Sequence, residues 1–316
     1  MQYATTLSPS ILYPDTPALP LPLPLLPTPE EIVYLSTLLN PAYLSAPTLA
    51  HLRTQFIETS QLLLANFLST KVATELESLI AVEEKSLEEG RRVKVGGRWV
   101  DKILGHDAGE KEDEWSIIGP PHIQRFAALS AGLSTTSTSR LTVLLREIQA
   151  LFISPQFRSV LAALTSLIPL SHTTQIRRFR PSLDYTLARG EPSTGEAKLD
   201  LGLNLTPIHR LSKVDAEKWE GGDKGGWELW LAGEDEGGDE ATYGGAQKGH
   251  KDGADPQEEE DATLLAFEPG WNRLHLVLRD PGVLKFVKYV SAGAPGSRWD
   301  IGGEWDVGMV DEDEEE

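Results

Sequence analysis

Cysteine is absent from this chain of 316 residues. Its absence excludes a disulfide framework, a thiolate nucleophile and cysteine-based zinc or iron–sulfur sites, and it fits a reducing compartment. Basic residues are scarce, at 29 against 48 acidic ones, and the first is Arg53. The N-terminus therefore lacks the positive region of a signal peptide and the arginine-rich face of a transit peptide. We expect a cytoplasmic or nuclear protein.

Long uninterrupted apolar runs are also missing. Residues 18–27 are apolar, but a proline at nearly every second position prevents a membrane-spanning helix. This spacing favours an extended linker in the polyproline II conformation. An SH3 or WW ligand is an alternative to a plain linker at this segment. We expect residues 1–30 to be a disordered, proline-rich lead-in to a single ordered domain over residues 31–305.

Most of the net charge of −19 lies in two stretches: residues 234–261 carry −9 and residues 306–316 carry −7. A near-neutral body with acidic appendages disfavours broad electrostatic binding to nucleic acid or to an anionic membrane. Low hydrophobicity and many glycines predict that residues 234–261 form a disordered loop, and residues 306–316 an acidic tail.

Within residues 31–170, apolar residues recur at helical spacing. This pattern predicts helices over 47–67, 71–89, 121–133 and 141–152, and Ser154-Pro155 has the N-cap and first-turn proline that open another. The polar stretch 91–115 predicts a hairpin or a long surface loop.

Within residues 173–305, the segments become short, alternating and bounded by turns. The predicted strands cover 175–187, 199–205, 227–231, 263–268, 273–279, 283–289 and 298–305. This spacing favours a sandwich or jelly roll over a βαβ sheet. The fold class predicted is α+β, with helices packed on the strands.

Catalytic templates are missing. The sequence has no G-x-S-x-G elbow, no P-loop and no dinucleotide-binding glycine motif. The single His-x-Asp spacing, His250-Lys-Asp252, lies in the acidic insert, where a rigid metal site is not expected. His275 is interpreted as a core or surface histidine rather than a ligand. The cluster Arg177-Arg-Phe-Arg180 either binds an anion or covers an exposed edge strand.

Several long strings, in order, resemble one family, the prolyl 3,4-dihydroxylases, which are oxygenases that depend on 2-oxoglutarate and iron. The strings are Asn40-Pro-Ala-Tyr-Leu44, Gly119-Pro-Pro-His122, Arg177-Arg-Phe-Arg-Pro-Ser-Leu-Asp-Tyr-Thr-Leu187, Gly225-Gly-Trp-Glu-Leu229, Trp271-Asn-Arg-Leu274, Val277-Leu-Arg-Asp280, Phe286-Val-Lys-Tyr-Val-Ser291 and Pro295-Gly-Ser-Arg-Trp-Asp300. They span roughly residues 35 to 305 and match the C-terminal half of that family.

The resemblance implies a double-stranded β-helix (jelly roll) of the second, metal-free kind, since members carry a first copy that holds iron and 2-oxoglutarate. No catalytic or metal-binding residue of this chain is then expected. Iron(II), 2-oxoglutarate and possibly ascorbate are expected only where a catalytic domain is attached. The family also implies protein partners from the translation or degradation machinery, with links to translation termination, poly(A) tail length and oxygen-dependent regulation.

The resemblance points to a few residues. Arg298 resembles the arginine that holds the oxoglutarate carboxylate in the catalytic copy, and is a weak cofactor-binding candidate. Strand alternation predicts Arg178, Arg180 and Asp184 on one face, where an Arg–Asp pair replaces iron, with Phe179 on the opposite, apolar face. The candidate interaction residues are Arg178, Arg180, Asp184, Trp227, Trp271 and Arg273.

Three functions are compatible with the sequence. The first is a non-catalytic C-terminal interaction and regulatory domain. The second is part of an active dioxygenase whose catalytic domain lies outside this chain. The third is a jelly roll that binds a small ligand through exposed tryptophans: Trp219, Trp227, Trp230 and Trp271.

Overall fold

The computed structural model describes residues 10–13, 26–95, 98–101, 115–130, 139–188, 197–222, 224–232 and 263–308. Its helices are α1 (Pro29–Leu35), α2 (Ala46–Thr59), α3 (Thr70–Arg91), α4 (Arg140–Phe152), α5 (Pro155–Thr165) and α6 (Lys213–Glu220). Short 3-10 turns cover Pro41–Leu44 and Ile208–Arg210. None of the helices described is long and apolar enough to cross a membrane.

The strands form a large sheet, a small sheet and a separate hairpin. They are β1 (Ile11–Leu12), β2 (Gln61–Ala65), β3 (Arg92–Val95), β4 (Arg98–Asp101), β5 (Trp115–Ile118), β6 (Gln124–Leu129), β7 (Ile168–Pro169), β8 (Ser171–Phe179), β9 (Tyr185–Thr186), β10 (Lys198–Leu205), β11 (Glu228–Leu231), β12 (Thr263–Phe267), β13 (Trp271–Arg279), β14 (Leu284–Val287) and β15 (Arg298–Gly308).

The large sheet has the order β2-β13-β10-β15-β8-β6-β5, with the short strands β1, β7 and β9 paired at its margins. The small sheet has the order β12-β11-β14, and β3 pairs with β4. All these pairings are antiparallel. The Val287 amide donates to Thr186 Oγ1 at 2.6 Å, which joins β14 of the small sheet to β9 at the margin of the large one.

Alternation along the central strands gives the large sheet two different faces. The leucines of β10 (Leu199, Leu201, Leu203 and Leu205) are fully buried in one cluster with side chains of α4 and α5. Burying a leucine side chain contributes about 1.5–3 kcal/mol, so this face holds the helices on the sheet. The residues between the leucines face the small sheet instead, because successive side chains of a strand point to opposite sides.

Local signals explain where the helices begin. Thr28 and Glu31 form a reciprocal capping box at the start of α1, and the Ser154 hydroxyl accepts from the Phe157 amide at 3.2 Å at the start of α5. Both arrangements satisfy amides that would otherwise lack a partner. The N-cap predicted at Ser154 is therefore confirmed.

The predicted fold class, a double-stranded β-helix with N-terminal helices packed on it, is confirmed by this architecture. Four segments were predicted wrongly. Residues 61–65 and 124–129 are strands of the large sheet rather than parts of helices. Residues 10–13 are not a free lead-in, because β1 pairs with β8 and Tyr13 is buried. Residues 306–308 continue β15 rather than opening the tail. The acidic insert 234–261, with His250 and Asp252, lies outside the described residues.

Candidate functional site

The candidate site is the space between the two sheets. Inward-facing side chains of β8, β10, β13 and β15 meet those of β11 and β14 there, and most of them are charged. The buried members are Asp200, Asn204, Glu228, His275, Arg298 and Asp300, and Arg177, Arg279 and Lys285 are largely buried beside them. Such a density of ionisable groups in an interior requires mutual pairing.

Glu228, on β11, is at the centre of these contacts. Its carboxylate lies 3.2 Å from Arg177 Nη2, 3.1 Å from Arg298 Nη2, 3.6 Å from Lys285 Nζ and 3.2 Å from His275 Nε2. Burial alone would raise the pKa of Glu228, but the charges of Lys285 and Arg177 outweigh burial and hold that pKa well below its usual range. Glu228 is therefore a carboxylate at neutral pH.

Asp300, on β15, links the two arginines. Arg177 donates to it through two nitrogens, Nε at 2.7 Å and Nη2 at 3.0 Å, in the forked geometry that suits guanidinium and carboxylate. Arg298 Nη2 lies 2.7 Å from Asp300 Oδ2, and Arg298 Nη1 donates to the Gly226 carbonyl. Burial opposes the charge of Arg177, but Asp300 and Glu228 outweigh it and raise its pKa above its ordinary value.

A second carboxylate, Asp200 on β10, anchors the other end of the interior. It accepts from Arg279 Nε and from Trp230 Nε1, each at 2.9 Å, and lies 3.4 Å from Lys285 Nζ. Burial would raise the pKa of Asp200, but Lys285 and Arg279 lower it overall. Glu304 then pairs with Arg279 and, at 2.7 Å, with Lys198 Nζ. The ion pairs thus form one continuous network along the interior.

His275 is packed into this network by its ring. The imidazole stacks on Phe267, with centroids 4.6 Å apart, and meets Trp230 edge-on at 5.6 Å. It also covers Gly202: a Cβ added there would lie 2.1 Å from His275 Cε1, so a side chain at position 202 would displace the ring. Burial lowers the pKa of His275, and the ring is neutral at pH 7. This agrees with its interpretation as a core histidine.

The residues present do not fit a divalent metal ion. Glu228, Asp300 and Asp200 are each paired with guanidinium or ammonium groups, so an entering cation would be repelled by charges only a few ångströms away. In the part of the chain that the structure describes, no group of three or more His, Asp or Glu side chains could hold a metal ion. What the arrangement does chemically is neutralise charge and close the interior.

Arg298, the weak candidate for a cofactor carboxylate, lies inside this network and is fully buried. Its guanidinium is engaged by Glu228, Asp300 and the Gly226 carbonyl. An incoming carboxylate would have to displace contacts that are already made within the chain.

The predicted common face of Arg178, Arg180 and Asp184 was wrong. Strand β8 ends at Phe179, and it is Arg177 that shares the inward face with Phe179. Arg178 points to the helix side, 5.1 Å from the Trp299 ring and 3.7 Å from Glu84 Oε1. Arg180 pairs with Asp184 at 2.8 Å in the turn that follows the strand, so this Arg–Asp pair lies outside the strand.

The candidate interaction residues differ in how far they are exposed to solvent. Arg178 and Asp184 are buried and cannot belong to an exposed surface, which corrects that expectation. Trp227 and Trp271 are half-buried, and Arg273 is about one-third exposed and pairs with Glu268 at 2.8 Å. Trp219 and Trp230 are buried, so only two of the four tryptophans that suggested a ligand-binding jelly roll, Trp227 and Trp271, are partly exposed.

Sequence reasoning missed Glu228, Asp200 and Asp300 as members of a site. A signal was present at one of them, since Asp200 and Asn204 alternate with leucines in a strand whose other face is entirely apolar. Charged residues at the inward positions of such a strand indicate a polar interior.

Two opposed antiparallel sheets around a closed, ion-paired interior define a protein of the double-stranded β-helix class. The particular family follows from sequence comparison: the model of the family described as oxoglutarate and iron-dependent oxygenase degradation C-term matches residues 30–314. The chain belongs to that family.

One curated relative of this chain is a prolyl 3,4-dihydroxylase. It is 30% identical over 269 residues to the prolyl 3,4-dihydroxylase OGFOD1 of Ostreococcus tauri, a match that covers 83% of this chain and 46% of the relative. The chain thus spans about half the length of that relative.

Two solved structures give weaker similarities, each at 11% identity. A Trichoplax adhaerens prolyl hydroxylase, solved with a hypoxia-inducible-factor oxygen degradation domain peptide, matches 88% of this chain and 93% of its own, with a TM-score of 0.43. A prolyl-4-hydroxylase of Pseudomonas putida matches 82% of this chain and 99% of its own, with a TM-score of 0.39.

Proposed function

We propose that this chain is a non-catalytic C-terminal interaction and regulatory domain of a prolyl-dihydroxylase-like protein. The observation that carries the proposal is the ion-pair network between the sheets, centred on Glu228. Dioxygen activation in this chemistry requires a metal with open coordination positions. An interior whose carboxylates are already neutralised by arginine and lysine supports a role that needs neither metal nor oxoglutarate.

The energetics of the network support the same proposal. To bind Arg298, a carboxylate of oxoglutarate would have to replace Glu228 and Asp300. These two side chains are already held beside Arg298 by the fold, whereas a free ligand must also lose translational and rotational entropy on binding. Uncovering these two buried carboxylates would also cost several kcal/mol, because a buried charge without a partner is strongly destabilising. In this proposal, iron(II), 2-oxoglutarate and ascorbate are used only by a catalytic domain attached to such a chain.

The proposed partners are proteins of the translation or degradation machinery, as the family's links suggest. Of the six candidate interaction residues, Trp271 and Arg273 suit a contact surface best, because both stay accessible at one end of β13. Tryptophan and arginine are the side chains most enriched among residues that dominate binding energy. The His209 ring lies 5.9 Å from the Trp271 ring and extends this surface.

Anaerobic calorimetric titration of the chain with iron(II) and with 2-oxoglutarate tests the proposal. We expect no saturable binding of either at micromolar concentration. Glu228→Gln serves as a matched variant, because removing this carboxylate should leave iron binding equally absent if the site is not a metal centre. Micromolar binding of both iron(II) and 2-oxoglutarate to the unmodified chain would overturn the proposal.

A second candidate function is a part of an active dioxygenase whose catalytic domain is missing from this sequence. It is favoured by the similarity to a prolyl 3,4-dihydroxylase of about twice the matched length. Transcript reads that extend in frame upstream of Met1 into a segment with a His-x-Asp motif would support it. Such reads would be compatible with a metal-free interior in this chain. The transcript test is therefore independent of the titration with iron(II) and 2-oxoglutarate.

A further inference from the structure

The segment Ser10–Tyr13 attaches to the body through one buried side chain, Tyr13, and through the Ser10 hydroxyl, which donates to Ser171 Oγ at 2.5 Å and lies 3.3 Å from Asp306 Oδ2. Strand β1 makes two register pairs with β8, Ile11 with His172 and Leu12 with Ser171. Ile11 and Leu12 are 56% and 71% exposed, whereas Tyr13 is 4% exposed. Tyr13 therefore supplies most of the apolar burial of this segment.

Tyr13 occupies a socket formed by α5, β7, β8 and β15. Trp305 Nε1 donates to the Tyr13 hydroxyl at 3.1 Å, and the Arg158 guanidinium lies 4.5 Å from the centre of the tyrosine ring. The His172 ring is 5.0 Å away, and the Leu170 carbonyl accepts from the Tyr13 amide at 3.1 Å. The socket thus recognises the ring, the hydroxyl and the backbone of the residue it holds.

Contacts within the body also hold the walls of the socket. Arg158 Nε donates to the Pro169 carbonyl at 2.8 Å, which fixes the arginine on its own helix and the adjacent strand. The Leu170 amide donates to the Asp306 carbonyl at 2.8 Å, and β7 pairs with β15. Trp305 is fully buried in the main core. The walls would therefore stay in place if Tyr13 left.

An empty socket would leave polar groups without partners. The indole N–H of the fully buried Trp305 would lose its hydrogen bond, which costs about 1–3 kcal/mol for a group that stays buried, and the carbonyl of the half-buried Leu170 would lose its own. A preformed concave site with a few converging polar groups is the usual form of a ligand site. Its shape and donors select an extended peptide with a tyrosine.

We propose that this socket is a peptide-docking site whose ligand is an extended segment carrying a tyrosine after two strand-forming residues, and that Ser10–Tyr13 is its resident, exchangeable occupant. The short strand and its exposed apolar side chains make the resident segment the weakly held partner. The body supplies the strand edge of Ser171 and His172, and docking is strand addition combined with one side-chain pocket.

The test uses the full chain with Tyr13→Ala as receptor and a fluorescent peptide of residues 8–15 as ligand, followed by anisotropy. We expect saturable binding that weakens at least tenfold when the peptide itself carries Tyr13→Ala. The unmodified chain should bind the same peptide at least tenfold more weakly than the variant, because its own tethered segment competes at a high effective concentration. Equal binding of the two peptides, or no binding to a folded variant, would overturn the proposal.

A second measurement covers the case in which Tyr13→Ala does not fold. In the unmodified chain, native-state hydrogen exchange should show the Tyr13 amide exchanging at least a hundredfold faster than the amides of Ile176 and Leu201 in the central strands. Segments that open independently of global unfolding show this pattern. Equal protection at all three positions would mean that the segment is an integral strand and not an exchangeable occupant.

Discussion

Replacing Glu228 by glutamine is the sharpest perturbation of the interior. The change keeps the size of the side chain and removes one negative charge that lies within 3.6 Å of Arg177, Arg298 and Lys285. Because Glu228 is 1% exposed, water cannot reach the neighbouring cations and solvate them in place of the lost carboxylate. Removing one partner of a buried pair costs about 3–5 kcal/mol when the remaining charge has no other partner. Here Arg177 and Arg298 keep only Asp300 and Lys285 keeps only Asp200, so the positive charge is compensated in part and we expect the lower end of that range.

Urea denaturation followed by tryptophan fluorescence gives the free energy of unfolding for this variant. The control is Glu268→Gln, which breaks the half-exposed pair with Arg273 and should cost less than about 1 kcal/mol. In the Glu228→Gln background, adding Lys285→Met removes one of the partly compensated cations. The double variant should therefore be about 1–3 kcal/mol more stable than the sum of the two single changes predicts.

If Glu228→Gln loses no more stability than Glu268→Gln, the interior charges must be hydrated rather than mutually neutralised. Hydrated charges would be free to rearrange, and fixed ion pairs would then no longer exclude a metal ion from the interior.

Two further outcomes follow from the buried residues. Burial lowers the pKa of His275, so the unfolded chain binds more protons than the folded one as the pH falls below about 6.5. The urea midpoint should therefore fall as the pH drops through that value. The variant His275→Gln should show a smaller fall. The lowered pKa values of Glu228 and Asp200 add a second loss below about pH 4.5, and a midpoint that rises on acidification contradicts both. Phe179→Ala should cost about 3–5 kcal/mol in calorimetry because Phe179 is fully buried, whereas Leu264→Ala, at 60% exposure, should be nearly neutral; similar values for the two would refute the assignment of faces.

The strands after residue 172 could be predicted because their alternation is local. Each of the seven predicted segments overlaps a strand of the structure, since period-two patterns record which face is buried, but a turn after Phe179 divides the segment 175–187 between β8 and β9. The prediction failed at residues 61–67, where the apolar spacing of α2 continues in the sequence by three, four or seven. Ser60 ends that helix in the left-handed conformation, with φ of 55°, and the following leucines alternate in β2.

Residues 124–129 show a different limit. The segment has few β-branched residues, and its strand conformation comes from pairing with β5, β8 and β9. Local propensity cannot reveal partners that lie elsewhere in the chain.

The interior network was beyond prediction for the same reason. Arg177 pairs with Asp300, which is 123 positions away, and with Glu228, which is 51 positions away. The sequence shows the arginine cluster at 177–180, but only the register of β8 against β15 decides that Arg177 turns inward while Arg178 turns toward the helices.

The glycines opposite each other on β10 and β15 limit how this interior can change over evolution. Gly202 and Gly302 are register partners; a Cβ at Gly202 would meet the His275 ring, and one at Gly302 would lie 2.9 Å from Arg177 Cζ. A larger residue at position 202 must displace the neutral His275 ring, and one at position 302 must displace the Arg177 guanidinium from its carboxylate partners. A route from this interior to a metal-binding one, by natural drift or by engineering, therefore passes through several simultaneous substitutions, and a library that varies these positions one at a time would select against every intermediate.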